Sequence, residues 1–97
     1  MSDRFEAELW EWESRASWFF VSLPFELSDR IEARMRGYER GFGSLRVQAR
    51  VGATVWRTSI FPDGGRRTYV LPVKRQVRER EGLLPGGRVA VEIELLD

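Results

Sequence analysis

Residues 4–12, RFEAELWEW, alternate: Phe5, Ala7 and Leu9 fall on one face, Glu6, Glu8 and Trp10 on the other. Period two predicts a strand with one buried side. Residues 13–17, ESRAS, are polar and turn-like, and residues 18–23, WFFVSL, form an apolar strand that Pro24 ends or marks as an edge. Residues 27–38, LSDRIEARMRGY, change period. Leu27, Ile31 and Met35 recur every four positions, which predicts an amphipathic helix, with Ser28 or Asp29 as its cap and Gly37 as its stop. After GFGS, residues 45–51 alternate again, with Leu45, Val47, Ala49 and Val51 on one face.

Residues 54–61, TVWRTSIF, predict a further strand. PDGG at 62–65 predicts a hairpin turn in which proline sets φ and glycine supplies a positive φ. RTYVLPV is the return strand. KRQVRERE gives two helical turns closed by Gly82, and LLPGG leads into a last alternating strand that carries Val89, Val91, Ile93 and Leu95 inward.

The predicted order is β-β-α-β-β-β-α-β, and its two halves rhyme. VSLP precedes the first helix and YVLP the second, and each helix is followed by a glycine loop and an alternating strand. A repeated supersecondary unit of this kind predicts a mainly β fold. The expectation is one domain over residues 1–97, with pseudo-repeat halves 1–52 and 53–97. They close into a six-stranded, double-split, swapped-hairpin-like barrel capped by two short helices. Closure would leave no exposed sheet edge.

Residues 69–95, YVLPVKRQVREREGLLPGGRVAVEIEL, resemble the AbrB-like swapped-hairpin module. Pro72, Arg78, Gly82, Leu83, Gly86 and Val89 stand at the matching places. Two residues are added between the proline and Arg78, and Gly87 stands where that family has aspartate. Over most of its length the chain resembles an uncharacterised bacterial family, a domain of unknown function found alone or ahead of bacteriocin-protection, OmdA-like segments. WFFVSLP, VWRTSIFPDGG and the closing stretch carry that likeness. The resemblance implies a double-split barrel and no particular activity, because fold does not fix function.

Composition narrows the chemistry. The chain has no Cys and no His, and it also lacks Asn. Thiolate chemistry, the usual neutral-pH base and the commonest zinc ligand are therefore missing. No cofactor or metal is expected, nor is an enzyme. No apolar run approaches the ~20 residues of a membrane helix, and the acidic start does not resemble a signal peptide, so a cytoplasmic protein is expected.

Net charge is +1, unevenly spread. Residues 1–29 carry seven acids and two arginines, residues 30–80 thirteen bases and four acids, residues 81–97 four acids and one arginine. Acidic end strands beside basic middle strands would pair across the sheet. Glu6, Glu8, Glu92 and Glu94 are then charge partners rather than acid–base pairs.

Three functions can be drawn on this frame. The preferred one is a non-catalytic binding module for a small anionic ligand or a protein partner, monomeric or weakly dimeric. Trp56, Arg57, Ser59, Lys74 and Arg78 would converge near one barrel mouth, the arginines offering forked donors. The alternative is a nucleic-acid binder that presents Arg57, Arg66, Arg67, Lys74, Arg75 and Arg78 to phosphates. The low net charge and the lack of true two-fold symmetry disfavour it. Third is an enzyme with an unrecognised site, for which Ser59 and Lys74 could serve as nucleophile and base. Trp10 and Trp12 are expected to pack under the first helix. Left exposed, they would form a contact patch.

Overall fold

The computed structural model describes residues 2–13, 18–35, 43–65 and 67–96. The turn at 14–17, the helix stop at Gly37, the first half of GFGS, and Arg66 lie outside them. The elements are β1 (Ser2–Glu11), β2 (Phe19–Ser22), α1 (Phe25–Arg34), β3 (Leu45–Val51), β4 (Thr54–Asp63), β5 (Thr68–Pro72), α2 (Arg75–Glu81) and β6 (Arg88–Leu95). The six strands close in the order β1-β2-β5-β4-β3-β6, every neighbour antiparallel. The mainly β barrel with two short helices is the fold that the periodicity predicts.

The long strands change partner part-way. β1 pairs with β6 over residues 2–8 and with β2 over 9–11. β4 pairs with β3 over 54–60 and with β5 over 61–63. The amide of Leu23 donates to the Tyr69 carbonyl, and that of Val73 to the Phe19 carbonyl, both at 2.9 Å. The two bonds are counterparts under a shift of fifty residues, which takes Leu23 to Val73 and Phe19 to Tyr69. The same shift relates Pro24, which precedes α1, to Lys74, which precedes α2. Because β2 and β5 run antiparallel, the helices that follow them stand at opposite ends of the barrel.

In β1, β3, β4 and β6 the inward positions are those that the alternation picks out, and β2 and β5 add Val21 and Leu71. Leu9, Val21, Leu45, Val47, Ile60, Leu71, Val89, Val91 and Ile93 are all buried. Leu27, Ile31 and Met35 of the α1 stripe join them at one end, Val73 and Val77 at the other. Twenty or so apolar side chains leaving water supply the main driving force for closure.

Four local expectations are corrected. The first helix starts at Phe25 after Pro24, whose φ of −58° suits a helix entry. Ser28 is therefore no cap: it is buried, its hydroxyl accepts from the Tyr69 amide at 3.1 Å and also bonds the Thr68 hydroxyl. YVLP does not lead into its helix as VSLP does, for Pro72 is the last residue of β5 and pairs with Phe20. In PDGG, Pro62 and Asp63 belong to β4 and pair with Tyr69 and Thr68. The Asp63 carboxylate accepts from the Gly65 amide at 3.1 Å, and among the turn's described residues the positive φ falls on Arg67, at 58°.

The tryptophans also depart from expectation. Trp10 and Trp12 are not under α1, whose buried residues are Leu27, Ser28 and Ile31. Trp10 faces Phe20 across the β1–β2 ladder, on the outer surface of the barrel, with ring centroids 5.0 Å apart. Trp12 and Trp18 flank Phe20 at 6.4 and 6.5 Å and remain 42 % and 49 % exposed.

Candidate functional site

The partner change in β4 builds the site. Along residues 54–60 that strand is paired with β3 alone, since β5 joins only at Phe61. There a cavity of about 490 Å³ opens, with Trp56, Arg57 and Thr58 of β4 on one side. Phe19 of β2 and Lys74, Arg75 and Arg78 around α2 stand on the other. A cavity of this size suits a small ligand.

Each basic group is held differently. The Arg78 guanidinium lies 4.0 Å from the centre of the Phe19 ring, and its Nε donates to the Val73 carbonyl at 3.1 Å. Stacking and that bond fix the fork in place. Arg57 reaches the Gln48 side chain at 3.5 Å, a weak contact on an exposed strand face. Lys74 is exposed just ahead of the first turn of α2. Arg75 pairs with Glu79 one turn along, at 2.8 Å, and that hydrogen bond holds its pKa above the ordinary arginine value. Among the described residues no ion pair involves Arg57, Lys74 or Arg78.

Four of the five residues singled out in the sequence, Trp56, Arg57, Lys74 and Arg78, line this cavity. Ser59 does not: it lies opposite Arg46 in the β3–β4 ladder, farther along the strand. Trp56 is at once core and wall, being 7 % exposed and part of the central cluster. Sequence reasoning missed Phe19, Thr58 and Arg75 as lining residues.

The counterpart half supplies a control on what the fold itself requires. Phe5 stands opposite Val91 in the β1–β6 ladder as Trp56 stands opposite Ala49 in β4–β3. On that register Arg57 corresponds to Glu6, and on the fifty-residue shift Lys74, Arg75 and Arg78 correspond to Pro24, Phe25 and Ser28. The four cationic positions of this mouth therefore have no cation at their counterparts.

Other charged groups have structural partners. Glu92 accepts from Arg50 through Nε at 3.1 Å and through Nη2, with Arg4 at 3.8 Å. Arg88 reaches Glu6 at 3.6 Å. The Arg50–Glu92 pair joins acidic β6 to basic β3, whereas the Arg4–Glu92 and Arg88–Glu6 pairs link β1 and β6 to each other. The Arg50 hydrogen bond, with the charges of Arg50 and Arg4, holds the Glu92 pKa below the ordinary glutamate value against a smaller opposing effect of burial. Arg67 lines a separate depression with Asp29, Glu32 and Asp63, away from the other arginines. Among the described residues no group of acids could hold a metal ion, and no helix is long and apolar enough to cross a membrane.

A search of the curated proteins finds no match to the chain. A family model does match it, over residues 5–93. That span runs from Phe5, which lines the barrel interior in β1, to Ile93 in β6, and so includes the whole of the partner change, both helices and the basic cavity. The chain belongs to the domain of unknown function family DUF1905.

Proposed function

We propose that this barrel is a non-catalytic binding module whose open mouth beside β4 takes the anionic group of a small molecule. The observation that carries the reading is the asymmetry of the two ends. Arg57, Lys74 and Arg78 gather around one cavity without a carboxylate partner among the described residues, while Glu6, Pro24 and Ser28 occupy the counterpart places. A framework that tolerates neutral and acidic residues there does not need cations for folding. Like charges brought together at some electrostatic cost are explained by an anion that neutralises them. Arg78 supplies a fixed fork for a carboxylate or phosphate, and Lys74 adds a compact charge. The reading is non-catalytic because the chain lacks His and Cys and because Ser59 does not line the cavity with Lys74.

The test is calorimetric titration of the chain with inorganic phosphate and with acetate at low ionic strength. Arg57→Gln and Lys74→Gln serve as controls. Binding that weakens in both variants and with added salt supports the reading. Heats indistinguishable between the wild type and the double variant would overturn it.

A further inference from the structure

The outer face of the barrel carries a second feature that the anion site does not use. Apart from Ser22 and Thr68, β2 and β5 are apolar on both faces, a pattern that belongs to strands covered on both sides. Their inward residues, Val21 and Leu71, are fully buried, as the fold requires. Their outward residues, Phe20, Val70 and Pro72, form the floor of a groove of about 430 Å³. Trp10, Trp12 and Trp18 wall it on one side and Phe61 on the other. The groove adjoins the basic cavity, and Trp18 and Pro72 line both. All four tryptophans of the chain thus border one of two neighbouring hollows, one aromatic and one cationic.

From this continuity we infer that the ligand of the basic mouth is a flat aromatic or cyclic acid, its anionic group among Arg57, Lys74 and Arg78 and its ring system on the tryptophan groove. The inference rests on the anion-binding reading and specifies its ligand. Charge sets the direction, since the cations lie beyond Trp18 at one end of the groove. Size argues for a small molecule over a second copy of the chain. The exposed parts of Trp12, Trp18 and Phe61 (42 %, 49 % and 41 %) offer roughly 300 Å² in all, at the scale of a buried aromatic side chain. A stable protein interface needs about 800 Å² per partner. Ring stacking on preset indoles is the contact such a groove makes best. Phe20, held between three tryptophans at 5.0 to 6.5 Å, keeps them in place. The Trp10 indole N–H donates to the Ser22 hydroxyl at 3.0 Å, so the polar edge of that ring is satisfied within the protein.

The experiment compares three probes by calorimetry: 1-naphthaleneacetate, its neutral amide and acetate. The expected order places naphthaleneacetate at least about tenfold tighter than either of the others, because stacking and charge each contribute on the order of one decade. Trp12→Ser touches only the groove. It should weaken naphthaleneacetate by about three- to tenfold and leave acetate unchanged. Lys74→Gln should weaken both acids and spare the amide. Equal affinity for naphthaleneacetate and acetate overturns the inference and leaves the anion site standing. Equal affinity for naphthaleneacetate and its amide, indifferent to Lys74→Gln, overturns both. Concentration-dependent association of the free chain that Trp12→Ser abolishes would assign the groove to self-contact and overturn the inference. Both variants alter exposed side chains, and unchanged melting curves confirm their folding.

Discussion

Arg78 lies over the Phe19 ring, its guanidinium carbon 4.0 Å from the ring centre, while its Nε holds the Val73 carbonyl. One face of the guanidinium and one donor are thereby committed to the protein, in a cavity that both residues line. Arg78→Lys keeps the charge but loses the fork, the stack and the carbonyl bond. Affinity for inorganic phosphate should fall by about three- to tenfold in that variant, read by calorimetry, with little change in melting temperature. Undiminished affinity would mean that charge alone matters there.

Gly52 and Gly82 have nearly the same left-handed backbone, with φ of 59° and 63°, in different surroundings. Gly82 closes α2 with open space around it. At Gly52 the Glu81 carboxylate occupies the place of a side chain and accepts from the Thr54 hydroxyl at 2.6 Å, tying the end of α2 to the β3–β4 turn. Gly82→Ala should cost about 1 kcal/mol from backbone strain alone. Gly52→Ala should cost about 2 kcal/mol or more, because Glu81 must also give up its place and its bond. Equal losses in urea denaturation would show that Glu81 yields freely.

Acid sensitivity has one identified source on the barrel wall. The folded-state pKa of Glu92 is held down, first by the Arg50 hydrogen bond. A depressed carboxylate pKa gives stability that is present above the unfolded value and lost as pH falls through the folded one. That window lies below about pH 4.3, the ordinary glutamate value. Glu92→Gln should be less stable than wild type at pH 7 and should lose less on going from pH 5 to pH 3 (roughly the range that brackets that value). Parallel stability–pH curves for the two proteins would refute the assignment.

Tryptophan emission reports the outer groove. Trp12 and Trp18 are about half exposed, Trp10 is half-buried, and Trp56 is buried in the wall of the other cavity. Trp12→Phe together with Trp18→Phe should remove most of the fluorescence that iodide quenches. Residual quenching equal to that of wild type would place the accessible indoles elsewhere.

Much of the fold is legible because period two survives in β1, β3, β4 and β6, each with one wet face. β2 and β5 carry no such alternation, so the sequence marks them as strands without saying which side turns inward. That is why Trp10 and Trp12 were expected under α1 and instead form, with Phe20, an outer groove. Proline misleads for a related reason. Pro24 ahead of a helix and Pro72 at the end of a strand look alike in VSLP and YVLP, yet the hydrogen-bond register aligns Pro24 with Lys74 and leaves Pro72 opposite Phe20. The cations of the mouth are visible as residue types, but β4 and α2 meet only through closure of the barrel. A comparison of the halves at a fifty-residue shift carries the missing signal. It sets Lys74, Arg75 and Arg78 against Pro24, Phe25 and Ser28.

The placement of α1 and α2 at opposite poles, with the basic cavity at the α2 pole, gives the molecule a front and a back. A dye, tag or solid support attached beside Phe25 would be remote from the charged opening and would leave it facing solvent. The same attachment beside Lys74 would obstruct it. Orientation on a surface therefore becomes a property that the choice of anchoring residue alone can set.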